Sequence, residues 1–490
     1  MLPKTLGQLK EDSRFPHQVR TVKEEIRANL LKKLAQGEEL FPGIVGYGET
    51  AIPGLINALL ARQDFILLGL RGQAKSRILR QLTAFLDEYL PYIEGSEIHD
   101  DPFNPISETG RRRLGEEEDD LPLAYLHREQ RFVEKLATPD VTIADIIGDL
   151  DPIKAAKSGK ALSAFENIHF GLLPRAHRCI FAINELPDLA PKIQVGLFNI
   201  LQEGDVQIKG FPVRLPLDLL MAFTANPDDY TARGKIITPL KDRIGAEVRT
   251  HYPKRLEDGL RITRQEAWLE RGELNLVIPR WVEQVVELVA FHGRRDNRID
   301  HRSGVSQRLP IACLEFAASN AERRALTHGE EQVVLRIADV YASMPAITGK
   351  LELEYEGEMK GAERIASELI HRSVLDAFKK QFGDEDFEQI VQWFDLGGNV
   401  RVTDQTGSRQ FYDAVSGIQG LEEPLMELDV DPREDLPLAV SGIEFVLEGL
   451  NSLKRISRNA EQGYYREQGE DEARELLEQM KSRRGSRSFN

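Results

Sequence analysis

The chemistry of this chain is concentrated first in Lys75 and Ser76. They close the stretch Phe65-Ile-Leu-Leu-Gly-Leu-Arg-Gly-Gln-Ala-Lys-Ser76, where a short apolar run gives way to a glycine-bearing turn and then to a helical pattern. A turn of this kind gathers backbone N–H groups around an anion, and the helix that follows adds its dipole. A lysine at this place reaches the outer phosphates of a nucleotide, and the hydroxyl beside it helps to hold Mg²⁺. Gly69, Gly72, Gln73, Ala74, Lys75 and Ser76 are the candidate phosphate contacts. The usual pattern is G-x-x-x-x-G-K-[ST], and here Ala74 stands where the second motif glycine belongs. Alanine is small, so the turn is expected to survive provided its φ stays negative. The alternative is a buried strand running into an ordinary helix.

Further along, Cys179-Ile-Phe-Ala-Ile183 is an apolar run suited to a central parallel strand, and it ends in Asn184-Glu185. A strand ending in acidic residues beside a phosphate loop is where a nucleotide hydrolase places a metal-linked aspartate and a water-activating glutamate. Glu185 can polarise water. Asn184 stands in the aspartate position and brings no negative charge to a metal. A second buried run, Leu219-Leu-Met-Ala-Phe-Thr-Ala225, ends at Asn226-Pro227, whose amide could orient the attacking water or contact the γ-phosphate. Arg243, in Leu240-Lys-Asp-Arg-Ile-Gly245, lies where a neighbouring subunit could use it as an arginine finger. Arg308, before the helical pattern Leu309–Ala325, could swing onto phosphates from a lid or could be an ordinary surface arginine.

These residues need a scaffold. Strands alternating with helices give a three-layer α/β domain over roughly residues 40–253, with the loop, Glu185 and Asn226 all at carboxyl strand ends, where such sheets bind ligands. Residues 1–40 are expected to be a helical segment, 254–345 a helical lid, and 346–490 a mostly helical region of unknown role. The helix after Lys75 is expected to continue through Leu82, Phe85 and Leu90. Thr142 is an expected N-cap. Residues 159–171 read as a strand and turn, and 204–214 as a hairpin. Arg111-Arg-Arg113 and Glu116-Glu-Glu-Asp-Asp120 read as a solvated, self-compensating loop.

Composition narrows the classes. The chain has 490 residues, 41% hydrophobic and 29% charged, which is enough for two or three domains. Its net charge of −16 argues against nonspecific nucleic-acid binding. Cys179 and Cys313 each lie in an apolar run and are expected to pack as small hydrophobes, as suits a reducing cytoplasm. The N-terminus shows no signal-peptide pattern. No apolar run approaches the ~20 residues of a membrane span. The histidines are scattered and form no metal-ligand cluster.

The order Gly69-x-x-Gly-x-Ala-Lys-Ser76, Gly171-Leu-Leu-x-x-Ala-x-Arg178, Ile180-x-x-x-Asn-Glu185, Asn226-Pro227, Leu240-x-Asp-Arg243 and Arg308 resembles AAA+ ATPases of the MoxR and magnesium chelatase subunit I group. The resemblance covers roughly residues 40–345, and the long interval from Lys75 to Glu185 resembles the chelatase branch. It implies an α/β AAA+ P-loop NTPase core with a helical lid, ATP and Mg²⁺ as cofactors, and alanine as an accepted variant before the lysine. Lys75 and Ser76 would be Walker A, Asn184 and Glu185 Walker B, Asn226 sensor 1, Arg243 the arginine finger and Arg308 sensor 2. It also implies a hexameric ring and a partner protein with a von Willebrand factor A domain. The loss of a carboxylate at Asn184 implies slow ATP hydrolysis. The functions in competition are an ATP-driven remodelling ring, the motor of a magnesium chelatase, and a nucleotide-gated scaffold. A transcriptional activator is disfavoured, since no G-A-F-T-G-A-like loop and no basic helix-turn-helix is found.

Overall fold

The computed structural model describes residues 2–466, apart from 16–18, 152, 154–155, 157–166, 208–213, 228–235, 273–274, 384, 386 and 460–462. The chain divides into two compact units, Met1–Tyr252 and Pro253–Asn490.

The first unit is built on five parallel strands: β1 (Phe65–Leu68), β2 (Phe132–Leu136), β3 (Cys179–Asn184), β4 (Leu219–Ala225) and β5 (Ala246–Arg249). They lie in the order β5-β1-β4-β3-β2. β1 and β4 are buried along their whole length, and β3 all but its last residue, which is why they read as unbroken apolar runs. Alternate side chains feed two cores. Phe65, Leu67, Ile180, Ala182, Leu220 and Ala222 pack on one face against α1 (Val22–Gln36), α2 (Ala51–Leu60) and α3 (Lys75–Gln81). Ile66, Leu68, Phe181, Ile183, Met221 and Phe223 pack on the other, with Leu173, Ile193 and Leu197. Helices on both faces of a parallel sheet make the three layers expected from the sequence.

The helix α1 is pinned to this sheet by charge. Thr21 and Glu24 form a capping box at its start. Val22 N donates to both Asp218 oxygens at 3.0 and 2.8 Å. Glu25, on the inner face of α1, accepts two 2.7 Å bonds from Arg131, and both residues are buried. Such a pair is weak evidence for net stability, but removing one partner strands a buried charge at a penalty of ~3–5 kcal/mol.

Several expectations need correction. The helix after Lys75 stops at Gln81, passes into a 3₁₀ turn to Phe85, and Leu90 lies in a strand, Tyr89–Ile93, paired antiparallel with Leu123–His127. The charged stretch expected to be a loop is a helix, Glu108–Glu117. Ser107 caps it, and Arg113 meets Glu117 at the i,i+4 spacing. Thr142 does cap a helix, the single turn Ile143–Ile146. Of the strand and turn expected over 159–171, Ile168–Phe170 forms a strand, while 159–166 lie outside the described residues. The expected hairpin is present as Asp205–Gln207 paired antiparallel with Arg214–Pro216; its tip, 208–213, lies outside the described residues.

The second unit is largely helical. Its longest elements are α4 (Arg280–Gly293), α5 (Arg308–His328), α6 (Ala362–Phe382) and α7 (Leu436–Ser452). They share one hydrophobic core that runs from Trp281 through Leu314 and Phe378 to Phe445 and Tyr464. Cys179 and Cys313 are free and buried, and burial pushes their thiols up to about 11 and about 12. No helix among the described residues is long and apolar enough to cross a membrane.

Candidate functional site

The loop after β1 is shaped by close approaches. Gly69 donates its N–H to Ala225 O at 3.1 Å. A Cβ at Gly69 would stand 1.8 Å from Thr250 Oγ1 and 2.2 Å from Gln73 Oε1, so a side chain there would push apart the Thr250–Gln73 contact. Gly72 has φ +73°. Ala74 corrects the expectation of a negative φ: it sits at φ +58°, ψ +15°, the left-handed region. The reason is geometric, because the chain must reverse there to start α3 at Lys75. For alanine that conformation carries ~1–2 kcal/mol of strain.

Four residues outside the motif hold the loop from behind. Tyr47 Oη donates to Gln73 O at 3.0 Å and to His251 O at 2.7 Å. Thr250 Oγ1 donates to Gln73 Oε1 at 2.7 Å. Tyr252 Oη donates to Arg71 O at 2.8 Å. The rings of Tyr47 and His251 meet edge to face at 4.9 Å. These positions carry no motif, and only their proximity to β1 and β5 in the folded sheet marks them.

Lys75 is buried, with 8% of its surface exposed. Its ammonium donates to Gly69 O, to Leu70 O at 3.1 Å and to Asn226 Oδ1 at 3.2 Å. The tips of β1 and β4 are neighbours in the sheet, and this brings together two residues 151 apart in sequence. Ser76 follows Lys75 in α3 and is exposed.

Asn184, at the tip of β3, is fixed on both sides. Its Oδ1 accepts from Thr224 Oγ1 at 3.2 Å, and its Nδ2 donates to Glu134 Oε1. Glu185 comes next, at φ +54°, and its backbone N–H donates to Thr224 Oγ1 at 3.1 Å. Glu134, on β2, also accepts from Arg80 of α3, at 2.9 Å from Nη2. Strand alternation sets all this. Glu134, Asn184, Thr224 and Asn226 continue the face that carries Ile180, Ala182, Leu220 and Ala222, the face against which α3 packs. One polar row therefore crosses three adjacent strand tips above the loop. Sequence reasoning missed Glu134 and Thr224.

The remaining two candidates are Arg243, in the first unit, and Arg308, in the second. Arg243 ends the helix Thr238–Arg243, where it donates to Gln202 Oε1 at 3.1 and 2.8 Å and to Pro239 O at 2.8 Å. Its guanidinium carbon stands 5.0 Å from the centre of the Phe198 ring. Arg308 is the first residue of α5 in the second unit, where its N–H donates to Ser306 Oγ at 3.1 Å.

A parallel sheet ordered β5-β1-β4-β3-β2, with a lysine-bearing loop after β1 and polar tips on β3 and β4, is the three-layer α/β arrangement expected from the sequence. No protein-family model matches the chain. Among curated proteins it is similar to the hydrogenase transcriptional regulatory protein HoxA of Cupriavidus necator, 28% identical over 139 residues. That match covers 28% of this chain and 26% of HoxA, so it spans about a quarter of the relative's length. Solved structures to which the chain is similar include a BchI–BchD magnesium chelatase complex, 20% identical over 66% of this chain and 98% of that one, with a TM-score of 0.35. Another is a putative ATPase of Cytophaga hutchinsonii, 15% identical over 71% and 95%, with a TM-score of 0.30. NtrX of Brucella abortus is 16% identical over 78% and 72%, with a TM-score of 0.36.

The residues fit a magnesium nucleotide. The loop leaves little room for a side chain at Gly69 and directs a buried ammonium to its own carbonyls. Hard oxygen donors are available in the Ser76 hydroxyl, next to Lys75, the Glu134 carboxylate of β2 and the Glu185 carboxylate just after β3, the donor chemistry Mg²⁺ takes. When bound, Mg²⁺ would neutralise charge on the β- and γ-phosphates.

Proposed function

We propose that this chain is an ATP-hydrolysing AAA+ machine of the MoxR and magnesium chelatase subunit I kind, which couples hydrolysis in a ring to remodelling or activation of a partner protein. The observation that carries the reading is the contact of Lys75 Nζ with Asn226 Oδ1, one strand tip away from Glu185. In this reading Lys75 leaves its carbonyl partners for the outer phosphates, Gly72, Gln73 and Ala74 offer backbone N–H groups, and Gly69, whose N–H is bonded to Ala225 O, lets the loop turn close to the sheet. Ser76 and the Asn184 region face the metal. Asn226 orients the water, and Glu185 accepts its proton.

Arg243 supports the ring. Its guanidinium is held by Gln202 and Phe198 rather than by the polar row of its own subunit, which suits a group offered to a neighbour. Arg308 would contact the phosphates from the lid. A partner with a von Willebrand factor A domain and a cytoplasmic setting belong to the same reading. The motor subunit of a magnesium chelatase is the alternative within it.

The test is a set of three measurements on Glu185→Gln. The variant should bind ATP as the wild type does, release phosphate at less than one hundredth of its rate, and sediment with ATP as a closed oligomer. Full phosphate release from Glu185→Gln would remove the role assigned to this residue. A monomer in ATP would remove the ring.

A further inference from the structure

The Walker B position holds Asn184, and motif reasoning reads that as a missing charge. The sheet shows where a charge is. β2 and β3 pair in parallel with Glu134 opposite Ala182, two residues before Asn184, on the α3 face. From there Glu134 reaches forward to Asn184 Nδ2. Asparagine suits this contact and aspartate does not. The Asn184 amide accepts from Thr224 with its oxygen and donates to Glu134 with its nitrogen, whereas an aspartate could only accept and would oppose the Glu134 carboxylate.

The other partner of Glu134 is weakly committed. Arg80 Nη2 lies 2.9 Å from Oε2, but the Arg80 side chain is 66% exposed and that of Glu134 23%. A pair this open is weak, so a cation can displace the guanidinium. Arg80 follows Ser76 by one helical turn on α3, so both project over the same side of the loop. The arginine marks a direction in which Glu134 already meets positive charge.

We infer that Glu134 is the metal-facing carboxylate of this site, with Asn184 as the positioning residue that holds it and Arg80 as the cation it gives up when Mg²⁺–nucleotide enters. The inference rests on the nucleotide reading above and deepens it. The carboxylate has moved one strand over; it has not been lost.

The test uses the full chain with Mn²⁺ as the metal, read by electron paramagnetic resonance at saturating ADP, and a fluorescent ADP analogue titrated in EDTA. Glu134→Gln should weaken Mn²⁺ binding to the protein–ADP complex at least tenfold, while nucleotide affinity in EDTA changes less than twofold. Arg80→Gln should tighten Mn²⁺ binding. The double variant Glu134→Gln/Asn184→Asp, which moves the carboxylate back to β3, should restore Mn²⁺ affinity to within about threefold of wild type. Circular dichroism and thermal melts in EDTA establish that each variant is folded. Unchanged Mn²⁺ affinity in folded Glu134→Gln, with ADP still bound, overturns the inference and leaves the nucleotide reading intact. Failure of the wild type to bind ADP at all overturns both.

Discussion

Replacing Asn184 by aspartate looks, from the motif, like a repair. The structure predicts the opposite for the metal-free protein. The new carboxylate would face Glu134 at the distance where Asn184 Nδ2 now donates to it. Two unit charges 4 Å apart repel by ~4 kcal/mol at an effective dielectric near 20. The substitution also deletes a hydrogen bond to a charged group, worth ~1.5–3 kcal/mol. Against this stand the partial exposure of Glu134, 23%, and the nearby Arg80 guanidinium. Solvent screening and that pairing reduce the sum to a net loss of ~1–3 kcal/mol. For a unit of this size, Met1–Tyr252, each kcal/mol lowers the midpoint by roughly 2–4 °C. Thermal melts in EDTA should therefore show Asn184→Asp roughly 2–12 °C below wild type. Adding Glu134→Gln to it should recover most of the difference, since one carboxylate again faces one amide. Mg²⁺ with ADP should stabilise Asn184→Asp by more than it stabilises the wild type. Equal melting of Asn184→Asp and wild type in EDTA would refute the reasoning, because the two carboxylates would then not share the space.

Three other outcomes follow from the first unit. Ala74→Gly relieves the strain of φ +58° and gives back part of it as unfolded-chain entropy, so it should stabilise by ~0.5–1 kcal/mol in urea melts. Glu25→Gln strands buried Arg131 and should cost about 3–5 kcal/mol, read as a lowered urea midpoint. His177 is buried, and burial, with help from Arg178 and His99, lowers its ring from 6.5 to about 3. The unfolded ring takes up a proton that the folded ring refuses, so its contribution is complete above pH 6.5 and is lost as pH falls toward about 3, by ~1.4 kcal/mol per pH unit at most. Asp218, raised by burial from 3.8 to about 6, has the opposite sign between those values. The His177 slope is therefore read as the difference between wild type and His177→Gln, whose amide oxygen can still accept the Asp218 N–H.

Much of the scaffold was legible because its signals are local. The runs at 65–68, 179–183 and 219–225 are buried on both faces and therefore unbroken, and the last two end in polar residues that crown the sheet. Thr142 announced its helix through the i,i+3 relation to Asp145. What escaped depends on register or on long-range contact. Glu134 is one charge in Phe132-Val-Glu-Lys-Leu136, and its meaning comes only from pairing with a strand 50 residues away. Tyr47 and Tyr252 are far apart in sequence and both strap the loop. The helix at 108–117 was hidden by its charges, since Leu114 is its only large aliphatic residue and the Arg113–Glu117 pair forms only once the helix exists. Ala74 was expected at negative φ because side chains prefer it, and the reversal into α3 overrode that preference.

The claim on which the rest depends is that Lys75 exchanges Gly69, Leu70 and Asn226 for the phosphates of a nucleotide. Calorimetric titration of ATP with Mg²⁺ into wild type and Lys75→Ala tests it directly. The expected result is one site per chain in the wild type and at least hundredfold weaker binding in the variant, with both proteins folded. Equal affinity in the two would contradict it.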